Sequence, residues 1–175
     1  LSFSAIVGNT TGRAGDGGAI YFAATGSGAI LNSVITVNEA DDNVGGVYLQ
    51  AASTADPTKT VTVANTIIVN NSDGAGNYPD VYAGTNRTFT SGVNNGNGNN
   101  RLGNAATGFT NGVKGDYIKP AGTTVHYVVT SVADTYDDST DKVNMSLRDA
   151  IHQANITAGA EEIWIPAWNF VLTRE

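Results

Sequence analysis

The chain has 175 residues, nine Lys and Arg against sixteen Asp and Glu, and no Cys. That length fits one domain or one domain with a small appendage; the missing thiols exclude disulfides and thiolate metal sites, and the scattered cations form no basic patch for nucleic acid. With 21 Gly and only 14% charged residues, a helical bundle is excluded by the surplus of poor helix formers, and no apolar run reaches the roughly 20 residues of a transmembrane segment.

Recurring Val, Ile and Leu clusters argue against disorder. Beginning at Leu1 without Met, the chain reads as a mature product or an excised segment. Three stretches repeat: FSAIVGN at 3–9, NSVITVN at 32–38 and NTIIVNN at 65–71. Each carries a small hydroxyl residue (Ser4, Ser33, Thr66) before a β-branched run and an Asn (Asn9, Asn38, Asn71) after it. A second block follows each in phase: Gly17 to Tyr21, Gly45 to Leu49, Tyr78 to Tyr82. Short strands bounded by turn formers, repeating in phase, predict a mainly β fold, a parallel β-helix or solenoid, over residues 1–118. One coil cannot bury its apolar face alone, whereas stacked coils share a continuous interior. The alternative, a β-sandwich of Gly-rich hairpins, calls for two-residue turns flanked by clean alternation, and few are present. Asn9, Asn38 and Asn71 are predicted to stack as a ladder at one corner, since Asn tolerates left-handed backbone angles. Residues 90–113 are almost all turn formers, with spaced Val93, Leu102 and Phe109, and read as short strands and tight turns of the last coil.

The pattern resets at a linker, 119–124. Residues 123–132 alternate as a strand, and a polar acidic loop follows. A helix is predicted over about 146–156, with Leu147, Ile151 and Ala154 on one face, Ser146 as N-cap and Asp149 completing an acidic capping box. Residues 163–172 read as a strand pair or a bent strand, because Pro166 bars a continuous central one. The run VVTSVADTYDDSTDKVNMSLRDAIHQAN, followed by AGAEEIWIP, resembles the CSLREA-type domain found at the start of bacterial right-handed β-helices. Ser146, Leu147, Arg148 and Ala150 match its motif, while Met145 stands for the usual Cys and Asp149 for the Glu. The coils more loosely resemble those of polymorphic outer-membrane proteins. The resemblance implies a right-handed solenoid, a small α/β cap over 125–175 closing a coil start, with Ser146, Arg148 and Asp149 as cap residues, and a secreted or cell-surface setting.

A module that normally opens a β-helix thus stands at the end of this chain. Joined end to start, the sequence reads FVLTRELSFSAIVGN, a plausible strand–turn–strand. The expected function is therefore structural: units assemble head to tail into a fibre, with Leu1, Phe3, Phe170 and Leu172 at the meeting ends, either as tandem repeats or as separate subunits. An adhesin or glycan-binding module, with Tyr48, Tyr78 and Tyr82 stacking on sugars, is the alternative.

A polysaccharide lyase or hydrolase needs carboxylates grouped on one face, yet Asp16, Glu39, Asp41, Asp42, Asp73 and Asp80 fall in turns, so no enzyme is expected. His126 and His152 form no triad pattern, and no metalloprotease, phosphate-loop or dinucleotide motif occurs. Asp134, Asp137, Asp138 and Asp141 are the candidate calcium ligands, hard oxygens at short spacing; a solvated loop, or pairing of one aspartate with Arg148, is the competing reading. Sequons occur at Asn9, Asn70, Asn86, Asn144 and Asn155, with Asn86 in the most exposed turn.

Overall fold

The computed structural model describes residues 1–12, 15–53, 59–74, 80–94, 96–120, 127–136, 141–159 and 161–173. Strands of two to five residues, too short to stand alone, form because each lies parallel on its counterpart one coil away. The first coil holds β1 (Ala5–Val7), β2 (Thr10–Thr11), β3 (Ile20–Phe22) and β4 (Gly28–Leu31). The second holds β5 (Val34–Thr36), β6 (Glu39–Ala40), β7 (Val47–Leu49) and β8 (Thr60–Ala64). The third holds β9 (Ile67–Val69), β10 (Ser72–Asp73), β11 (Val81–Ala83) and β12 (Thr88–Ser91), and β13 (Arg101–Leu102) and β14 (Tyr117–Ile118) complete the stack. Four sheets run along the axis, in the orders β1-β5-β9-β13-β14, β10-β6-β2, β11-β7-β3 and β12-β8-β4. The chain is a β-solenoid.

Register follows the repeats. Ile6 pairs with Ile35 and Ile35 with Ile68, and Ile20, Val47 and Val81 align in the second block. These side chains point inward and join Leu49, Val61, Val63, Phe89 and Leu102 in one core. Two of the four sheets lie outside the two repeated blocks. Thr60–Ala64 and Thr88–Ser91 share only an aligned Thr-x-Thr, which Gly28–Leu31 lacks, so the sheet carries no signature common to its three strands.

The C-terminal segment is a βαβ unit: β15 (Tyr127–Val128), α1 (Leu147–Ile156) and β16 (Ile163–Trp164), with the two strands parallel. Its position corrects the cap expectation. The unit lies on the flank of the solenoid, where Val128 and Trp164 cover the outward Val34, Ile67 and Val69. That outer sheet face is apolar, which is why it takes a cover rather than water. The helix buries a different face from the one expected. Asp149, Ala150 and Gln153 are buried, whereas Ile151 is 45% exposed. The capping network at Ser146 and Asp149 turns that side of the helix inward, and small Ala150 packs beside Met145 and Val129. Beyond Trp164 the expected strand pair is replaced by an extended stretch containing a turn, in which the Trp168 N–H donates to Pro166 O. Residues 121–126, which include most of the linker and His126, lie outside the described residues.

Candidate functional site

The corners of the solenoid carry its polar chemistry. Asn9 donates its backbone N–H and its Nδ2 to Asn38 Oδ1, at 3.0 and 2.8 Å. Asn38 does the same to Asn71 Oδ1, at 3.0 and 2.9 Å. Asn71 donates both groups to Asp80 Oδ1, each at 2.9 Å. A second ladder occupies the preceding corner. The Ser4 N–H donates to Ser33 Oγ, Ser33 N–H to Thr66 Oγ1 and Thr66 N–H to Asn100 Oδ1. Asn100 then gives its N–H and Nδ2 to Asp116 Oδ1, both at 3.0 Å.

Both ladders have a direction. Each rung donates forward; the second ladder ends on Asp116, whereas in the first Asp80 accepts from Asn71 within the third coil and its own backbone N–H passes on to Asn104 Oδ1 at 3.0 Å. Burial raises the Asp80 carboxyl to about 6, against the two Asn71 bonds and Lys119, which lower it, and Asp73, which raises it. Asp80 enters from the turn of the third coil because the next coil has one residue fewer before Asn104. Gly103 makes room: a Cβ there would lie 1.8 Å from Asp80 Oδ2.

The two ends of the stack differ. At the far end Phe109 stacks on Phe89, with ring centroids 5.1 Å apart, and closes the core. At the near end Ile6, Ala19, Ile20 and Phe22 pack on the core but remain only partly buried. The edges of β1 and β3 face no further strand among the described residues. Leu1 and Phe3 extend the sheet of β4: Leu31 N–H donates to Leu1 O and Phe3 N–H to Leu31 O, each at 3.0 Å. Phe3 takes the left-handed corner, φ 47, that Asn32, Asn65 and Asn99 fill in later coils, and it is 71% exposed. Phe170 is half-buried on the Val129–Met145–Ala150 cluster, and Leu172 is exposed on the flank beside it.

Sequence reasoning missed Arg87. It is 4% exposed, and its guanidinium donates to five carbonyls, of Ala23, Ala24, Gly26, Gln50 and Lys59. One side chain from the third coil thereby ties the turns of the first two. An isolated Arg in a turn offers no signal of such a role.

Of the candidate calcium ligands, Asp134 and Asp141 are among the described residues. Both oxygens of Asp134 receive the Arg148 fork at 2.9 Å, and Thr173 donates to Oδ2 through its N–H and its hydroxyl. The Arg148 bond, followed by those from Thr173, holds the Asp134 carboxyl far below the usual range. Asp141 accepts from Val143 N–H and Asn144 Nδ2, and Asp137 and Asp138 lie outside the described residues. Among the described residues no three metal-ligating side chains cluster. At the helix start, Ser146 Oγ accepts the Asp149 N–H at 3.0 Å and lies 2.7 Å from Asp149 Oδ2.

Tyr21, Tyr48 and Tyr82 align on the outer face of one sheet, with successive centroids 5.6 Å apart and Tyr48 and Tyr82 only 11° from parallel. Their faces turn toward each other, so a sugar finds no free face between them; burial, then Asp16, raises the Tyr48 phenol. Tyr78 lies outside the described residues. Asn86 is exposed at a left-handed turn, and its Nδ2 donates to Ala52 O. No helix among the described residues is long and apolar enough to cross a membrane. No family model, no curated protein and no solved structure matches the chain.

Proposed function

We propose that the chain is a structural β-solenoid of an extracellular or cell-surface assembly, built to be extended at its first coil by a like molecule. The observation that supports this is the asymmetry of the ends. At the far end Phe109 covers the core, Asp116 closes one ladder and Asn111 Oδ1 takes the Ile118 N–H of the edge strand β14, whereas at the near end Ile6 and Ile20 of the edge strands β1 and β3 are only partly buried. Open edges template further pairing.

The far coil of a neighbour, being closed, has little to offer that edge. The exposed apolar pair Val171 and Leu172, next to half-buried Phe170, is the complementary element, so association is head to tail and propagates. The CSLREA-type reading of residues 127–165 fits the same proposal, with the segment bracing the flank. The account needs no catalytic step: Asp16 accepts from Asn43, and Asp80 is committed to its ladder.

Sedimentation velocity across a concentration series tests the proposal. The chain is expected to form concentration-dependent oligomers, which Ile20→Lys, an inward charge at the open edge, and deletion of residues 170–173 each abolish. Circular dichroism confirms that each variant folds. A compact monomer at the highest concentration, or oligomers indifferent to both changes, contradicts it.

A further inference from the structure

Where the C-terminal segment lies along the solenoid, the two leave a seam. One part, a groove of about 430 Å3, is lined by Arg101, Tyr117 and residues 162–165. It continues through Arg101 and Ile165 into a smaller groove of about 180 Å3 that reaches Asn65 and Asn99. The Arg101 guanidinium stands 5.2 Å from the centroid of the Tyr117 ring, which itself meets Trp164 edge-on at 5.9 Å. No acceptor among the described residues takes the Arg101 donors. The Arg101 side chain is exposed, in a protein of net charge −7. Glu162 lines the same groove, and its Oε1 accepts the Trp164 indole N–H at 2.7 Å.

From Arg101 the seam runs along a row of amides. Asn99 Nδ2 donates to Asn65 Oδ1 and Asn65 Nδ2 to Asn32 Oδ1. The rungs follow the coil spacing of about 4.8 Å, comparable to the advance of one sugar per residue in an extended polysaccharide. We propose that this seam binds an acidic polysaccharide, a uronate carboxylate seated bidentate on Arg101 and the neighbouring pyranoses lying across the Asn99–Asn65 amides. The floor is the outer face of the sheet that ends at β14, where the outward Ile118 N–H is already taken by Asn111 Oδ1. A peptide therefore finds no edge to augment, and recognition falls to the fork, the ring and the amides, the groups that suit a carboxylated sugar.

Titration calorimetry of the full chain tests this site. The ligands are an oligogalacturonate and an oligoalginate, the carboxyl-reduced form of the first, and a poly-Glu peptide of matched charge. Binding of at least one uronate is expected, weakening with salt. Carboxyl reduction and Arg101→Gln are each expected to weaken it at least about tenfold, with Arg101→Lys in between and the fold retained, because the side chain makes no hydrogen bond or ion pair among the described residues and only the Tyr117 ring contact is lost. Failure of both uronates to bind, equal binding by Arg101→Gln, or equal affinity for poly-Glu overturns the proposal. Since this site is far from the open edge, its outcome is independent of the sedimentation result.

Discussion

Asn38 shows how much a single corner residue does. Besides the two bonds to Asn71, its Nδ2 lies within reach of Ile6 O and Thr36 O, and its Oδ1 takes both donors of Asn9. Asn38→Ala leaves buried groups of three coils unpaired, and chemical denaturation should show a loss of about 2–4 kcal/mol. Asp80 carries a pH signature. Its carboxyl sits at about 6, above the roughly 3.9 of an unfolded chain, so the folded state holds the proton more tightly. The sign follows: stability rises as pH falls through 6, is fully gained below about 4, and is lost as pH rises again, by something on the order of 3 kcal/mol. Asp80→Asn restores the amide that earlier coils use and should flatten the profile between pH 4 and 7 while raising stability at neutral pH. A pH series of melting curves checks both. Arg87 is read in the same way: Arg87→Met strands five carbonyls and should cost about 3 kcal/mol, and Arg87→Lys recovers only part, since an ammonium cannot span the same fork.

At the scale of elements, what was legible in the sequence follows from what repeats. The β1–β5–β9 register stands in the aligned Ser/Thr, β-branched and Asn positions, and the β3–β7–β11 register in the Ile20, Val47 and Val81 block. The sheet of β4, β8 and β12 was not legible, because the register sets Gly28, Val61 and Phe89 side by side, three residues with no common size or type. The helix was legible from its cap, but its buried face was not. Periodicity weighs Ile151 as core, whereas the Ser146–Asp149 network and small Ala150 decide which side turns in. The Asn ladder and the pairing of Arg148 with one aspartate of the acidic loop were legible, whereas the Arg87 tie and the Arg101–Tyr117 contact join residues that no local pattern links. The Arg148–Asp134–Thr173 clasp belongs to this scale. Its carboxyl is depressed, so its contribution is present above the unfolded value near 4 and is lost as pH falls below it. Arg148→Gln should free the tail, seen as faster proteolysis after residue 165 with the coils intact.

For the whole molecule, polarity is the organising property. Both ladders donate in one direction along the axis, and Phe109 covers the core at the far end only, so the solenoid is a directional rod rather than a closed barrel. The measurement that bears most directly on this is backbone amide hydrogen exchange at low and high protein concentration. In dilute solution β5 and β7 should be strongly protected while outward amides of β1 and β3 exchange rapidly. On concentration, protection should spread to the first coil and leave the plugged far end unchanged. First-coil amides as protected as the second coil in the dilute monomer, or still unprotected at every concentration, would contradict an open edge awaiting a partner.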